Sequence, residues 1–270
     1  SFSVTSVDDG IRGKDYLIVN DGNITVNAGG DGIKSDNDES SNYGYISIDK
    51  GTFNIATARD GIQSKSSLGI KGGTFQINNS GDVALEASGS GYNPSYSTGI
   101  KCDGKISIEG ADITIASTGK AGKGISSDED IDIVSGTVKI TTTGAGATYK
   151  NSSGATDSYN AMCIAADGNI NILSASITLS SSGSGGKGIS SDGTLTIGDI
   201  SCSPAVNITT AGVKFLVSGS GMSASYAEAK TVKSDGAITI NNGIIAISSA
   251  DDGLKSETSI TINNGSVSIA

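Results

Sequence analysis

The chain is built from short runs in which apolar residues occupy every second position. Paired runs read YISID then GTFNIA at 45–56, KISIE then ADITIA at 105–116, and DIDIV then GTVKIT at 130–141. The pattern returns as AITI then GIIAIS at 237–248 and SITI then GSVSIA at 259–270. Strict alternation of Ile, Val, Leu or Phe with Ser, Thr, Asn or Lys predicts strands with one face buried and one exposed. No segment carries the periodicity of a helix of ten or more residues.

Ahead of each pair of runs stands a short step. It reads DGIKSD at 31–36, TGIKCDG at 98–104, KGISSDE at 123–129, KGISSDG at 187–193, VKSDG at 232–236 and DGLKSE at 252–257. Looser copies are DGIRGK at 9–14, DGIQSK at 60–65, DVALEA at 82–87 and MCIAADG at 162–168. Taking Ile11, Ile33, Ile62, Ala84, Ile100, Ile125, Ile164, Ile189, Val232 and Leu254 as equivalent anchors gives units of about 27 residues. Three short strands per unit, repeated nine to ten times, predict an all-β, single-domain parallel β-helix over residues 1–270, right-handed as parallel connections usually are. A propeller needs longer units of four strands, and a sandwich would not repeat one motif so often. Segments 87–98, 143–160 and 199–231 break the rhythm and read as insertions. They carry Tyr92, Tyr96, Tyr149, Tyr159 and Tyr226, and projecting loops are a usual place for binding residues.

Composition narrows the chemistry. There is no histidine, which removes His-based triads, histidine-ligated zinc and imidazole acid–base steps. There is no tryptophan, and no apolar run is long enough to span a membrane. Acidic residues outnumber basic ones 28 to 18, which disfavours nucleic acid as a partner. Cys102, Cys163 and Cys202 fall in separate units, beyond the reach of a disulfide, and are expected as free thiols. The chain begins at Ser1 and stops inside a strand at Ala270, which reads as a piece of a longer secreted or cell-surface protein.

Aligning the units produces columns of charge. One position after the anchor stand Arg12, Lys34, Lys101, Lys233 and Lys255. Three positions after it stand Asp36, Asp103, Asp128, Asp167, Asp192, Asp235 and Glu257. Two positions before it stand Asp9, Asp31, Asp60 and Asp82, then Asp252, with Asp8 and Asp251 adding a carboxylate at each end. Stacked one strand spacing apart and partly buried, such aspartates repel and call for a counter-ion, a role suited to Ca²⁺ with its oxygen ligands. Asp-Gly is equally an ordinary turn pair, and paired surface columns can be no more than a solvated face. The acidic clusters SDNDES (35–40) and SDEDID (127–132), which hold Asp36 and Asp128, are further places for a cation.

The tandem DGIKSD step followed by SDG-x-I-T-I and a second alternating run resembles the clostridial secreted carbohydrate-binding domain-containing proteins over essentially the whole chain. The resemblance implies a pectate-lyase-like β-helix without catalytic activity that contains calcium and binds acidic plant polysaccharide and cellulose. On this reading the protein is a monomeric, calcium-dependent binder of polygalacturonate, with Lys34, Lys101, Lys233, Lys255, Tyr92 and Tyr96 facing the sugar. Two alternatives stand beside it. A calcium-dependent polysaccharide lyase would draw its base from Arg59 or Arg12. A structural or adhesive surface protein would use the polar, repetitive exterior to engage a protein partner.

Overall fold

The computed structural model describes residues 1–270. The strands assemble into three long parallel sheets of ten, nine and nine strands, with three strands per turn. The chain winds through sheets A, B and C in that order and closes a right-handed parallel β-helix.

The nine strands of sheet B define rungs one to nine: Ile11–Arg12, Ile33–Ser35, Ile62–Ser64, Thr98–Cys102, Lys123–Ser127, Met162–Ala166, Lys187–Ser191, Val232–Ser234 and Leu254–Ser256. Their register places the anchors in one file: Ile11, Ile33, Ile62, Ile100, Ile125, Ile164, Ile189, Val232 and Leu254. Nine of the ten predicted anchors are therefore correct, and Ala84 is not among them. Ile62 pairs directly with Ile100, while Ala84 begins a strand of an antiparallel hairpin outside the solenoid. Only 16 residues separate Ala84 from Ile100, too few to lay down three strands and their turns.

The inward files of all three sheets meet in one continuous core of 43 buried residues, mostly isoleucine. Phe53 and Phe75 stack on successive rungs at 4.5 Å between ring centroids. The glycine of the DGI step has a steric cause. A side chain on Gly61 would be driven into the carbonyl of Gly99 and the Cγ2 of Ile77. The serine of the same step points inward and ties its rung to the turn of the preceding rung. The hydroxyls of Ser64, Ser127, Ser191 and Ser234 donate to the carbonyls of Gly44, Gly104, Gly168 and Gly193 at 2.7–2.9 Å. Cys102 occupies this file at rung four, and burial pushes its thiol up to about 11. All three cysteines are free.

The insertions are ordered hairpins, here called fins. The first joins Ala84–Ser88 to Gly91–Ser95, the second Ala147–Lys150 to Thr156–Tyr159, and the third Phe215–Ser218 to Ser225–Ala227. The predicted third insertion, 199–231, was too broad, because Ala205–Thr210 within it is a regular strand of sheet A. Every fin leaves the turn between sheet A and sheet B, and the fins precede rungs four, six and eight. Two strand spacings are about 10 Å, which is the distance at which β-sheets pack face to face. Alternate rungs thus allow neighbouring fins to touch. The amide of Ser90 in the first fin donates to the carbonyl of Ser152 in the second at 2.8 Å. Phe215 of the third packs against Gly146 and Gly185.

Candidate functional site

Sheet B carries most of the predicted site residues on its outer side, and its two halves differ. At rungs one to three the file two before the anchor holds Asp9, Asp31 and Asp60, stacked as predicted. Each Oδ1 accepts the backbone amide of the equivalent residue on the next rung: Asp31 to Asp9 at 2.9 Å, Asp60 to Asp31 at 3.0 Å, and Thr98 to Asp60 at 2.7 Å. The Lys34 ammonium lies 2.6 Å from Asp31 Oδ2, 3.9 Å from Asp9 Oδ2 and 4.0 Å from Asp36 Oδ2. Asp60 is buried and has no ion pair. Burial, then the neighbouring charge of Asp31, pushes it up to about 7.

Asp82 does not belong to this file. It sits at the base of the first fin, where its Oδ1 accepts the amide of Lys120 at 2.7 Å, and Thr98 takes the place predicted for it. At the far end Glu228, Asp251 and Asp252 bring carboxylate oxygens within 4.8 Å of one another. The Lys230 ammonium occupies their centre, hydrogen-bonded to Glu228 and 3.3 and 3.5 Å from Asp252 and Asp251. Lys34 and Lys230 occupy the places a cation would take, and Asp60 is left as a single carboxylate with one amide donor, so neither donor set fits a calcium ion. Asp8 is exposed at the N-terminal end and its amide bonds Ser6 Oγ at 3.2 Å.

The outer half of each predicted column pair is largely self-satisfied. Arg12 meets Asp36 at 2.8 Å, Lys233 meets Asp235 at 2.6 Å, and Lys255 meets Glu257 at 2.9 Å. Arg59, the base suggested for a lyase, is exposed on a turn one rung before the first fin. Arg12 is two rungs farther away and engaged by Asp36, so the structure brings neither arginine to a cleft with partners for proton abstraction.

Rungs five to seven are built differently. Between Lys101 at rung four and Lys233 at rung eight, the position after the anchor shrinks to Ser126, Ala165 and Ser190, in register on consecutive rungs. These small residues floor a trough. One wall is the file Lys123, Met162 and Lys187, and the other is Asp128, Asp167 and Asp192. The first fin overhangs the upper end and closes a polar cleft of about 410 Å³ lined by Glu86, Tyr96, Lys101, Lys123, Asp128 and Asp167.

The two walls carry opposite charge and feel each other's field, but no direct ion pair joins them. Neither Lys123 nor Lys187 has a carboxylate within ion-pair distance. Lys123 instead lies 4.1 Å from the centroid of the Tyr96 ring and 3.5 Å from Ser126 Oγ. Burial pushes the Lys187 ammonium down to about 8, helped by the charges of Lys233, Lys230 and Lys123, and burial lowers Lys123 as well. Opposite, Asp128, Asp167 and Asp192 also lack ion pairs. Burial and then Asp103 and Asp167 raise Asp128, while burial and then Asp235 and Asp167 raise Asp192. These carboxylates stand one rung apart, so neighbours could share a cation in pairs, but the three do not converge as Glu228, Asp251 and Asp252 do.

Lys123, Lys187 and the small-residue floor escaped the sequence reading. The signal was present, because both KGISS copies put lysine where the first three units have aspartate. Of the two tyrosines expected to face a ligand, Tyr96 lines the cleft, whereas Tyr92 is exposed on the fin and bridges to Asn151.

A family profile described as "Carbohydrate-binding domain-containing protein" matches residues 1–146. The chain belongs to this family. The match covers the aspartate ladder, the first fin and the upper part of the trough, and it makes a polysaccharide the expected partner. No curated protein and no solved structure matches the chain.

Proposed function

We propose that this carbohydrate-binding domain holds a strand of acidic polysaccharide in the trough of sheet B, along the solenoid axis and beneath the first fin. The observation that carries this reading is the pair of half-buried lysines, Lys123 and Lys187, that face the trough without a protein carboxylate within ion-pair distance. A buried ammonium without a partner is costly, and a uronate carboxylate would supply the missing charge. The chain has a formal net charge of -10 and its other lysines are mostly paired, so these two focus an anionic ligand onto one place. Ser126 and Ser190 offer hydroxyls to the sugar, and the small floor lets its ring approach the sheet. Tyr96 holds Lys123 in place from below by a cation–π contact.

Calcium belongs to this proposal at the opposite wall. Neighbouring pairs of this wall, Asp128 with Asp167 or Asp167 with Asp192, would hold it, and it would supply positive charge between these carboxylates and those of the ligand. The chain's own lysines orient the polymer, and its own aspartates set where a cation can sit. Retention on immobilised polygalacturonate tests both parts. Lys123→Gln and Lys187→Gln should each weaken retention about fivefold or more, since each removes a partly desolvated ion pair. Chelator should weaken it further and leave the Lys34–Asp31 ladder intact by thermal melting. Retention that ignores both lysines would sink the reading.

A further inference from the structure

The basic wall of the trough is not continuous. Lys123 and Lys187 stand on rungs five and seven, and Met162 stands between them in strict register. The backbone positions of the two lysines are therefore two strand spacings apart, about 10 Å. The intervening position is occupied by an uncharged, polarisable side chain that fills the wall without presenting a donor. Lys101 and Lys233 lie in the adjacent file and lean toward Asp103 and Asp235, at 4.0 and 2.6 Å, so they do not fill the gap. The floor beneath repeats the same alternation, with hydroxyls at Ser126 and Ser190 and a methyl at Ala165 between them.

We infer that the trough reads charge at every second sugar, so that its preferred ligand presents carboxylates along one edge in alternation rather than at every unit. This deepens the reading of the trough as a polyanion site and rests on it. Two ligand classes satisfy the rule. One is a uronan extended with a two-fold twist, whose successive carboxylates point to opposite sides. The other is a polymer in which uronate and neutral sugar strictly alternate. A site that sensed only overall charge density would favour the first by the number of its charges. A wall with a gap at Met162 accepts both.

The test uses the whole chain with polygalacturonate, charged at each unit, and hyaluronan, charged at alternate units, at fixed calcium and several salt concentrations. Wild-type protein should bind the two with affinities within about threefold and with equal dependence on salt, because both meet the same two lysines. Met162→Lys places a charge opposite the sugar whose carboxylate is turned away in a two-fold uronan and absent in hyaluronan, and should change binding to either polymer by less than about twofold, below the range of a surface ion pair. Met162→Gln, which adds no charge, controls for folding and packing and should leave both unchanged. A gain of about fivefold or more on polygalacturonate with Met162→Lys, or hyaluronan failing to bind where polygalacturonate saturates, would overturn the inference. Indifference of both polymers to Lys123→Gln and Lys187→Gln would instead strike at the polyanion reading beneath it.

Discussion

Asp60 shows how a single residue departs from its file. Its neighbours Asp31 and Asp9 share the Lys34 ammonium, whereas Asp60 is buried with one amide donor and a carboxylate beside it. Its carboxyl is raised from an ordinary 3.8 to about 7. The folded state therefore binds a proton that the unfolded chain has already released over this interval. By linkage the fold loses stability as pH rises from about 4 to about 7, and the loss is complete above that window. Asparagine keeps the acceptor for Thr98 and removes the charge. Asp60→Asn should raise the melting midpoint at pH 8 by about 5 °C and leave it nearly unchanged at pH 4. An equal shift at both pH values would mean that packing, not ionisation, is responsible.

The fins illustrate what a strand pattern can and cannot tell. DVALEA at 82–87 alternates like the true anchors, because a hairpin strand and a solenoid strand share the same two-residue period. Only the distance to the next anchor separates the two. The fins also behave as separable elements, since the turns of rungs five and seven pass from sheet A to sheet B without one. Replacing residues 82–96 by the short turn found at 118–122 should preserve the strand content by circular dichroism. It should nevertheless weaken retention on polygalacturonate severalfold, because Tyr96 no longer supports Lys123. Loss of the strand signal would show that the first fin is needed for the solenoid itself.

At the scale of the whole molecule, the fold was legible because one steric requirement repeats. Each rung needs a glycine at the tight approach, an aliphatic anchor and a small inward residue, and the sequence writes this triplet nine times with few exceptions. The binding trough was less legible because its character lies in departures from the repeat: serine and alanine where lysine recurs, and lysine where aspartate recurs. Aligning for similarity hides such positions. The repeat also predicts uneven sensitivity to damage, since each rung touches only its neighbours. Ile125→Ala, in the fully buried middle, should cost about 2–5 kcal/mol. Leu254→Ala, half-buried on the last rung of sheet B, should cost less than half of that in denaturant unfolding.

The pairing register gives the molecule one further property. Since strands are added whole, the separation of any two side chains in a file changes only in steps of a single rung. A minimal turn, such as the 22 residues from Ile11 to Ile33, inserted ahead of Lys187 would move that lysine one step farther from Lys123 and no other distance is available. The solenoid is in this sense a ruler with fixed graduations. A polymer whose repeat falls between two marks must be met by the reach of the side chains, because the scaffold itself cannot shift.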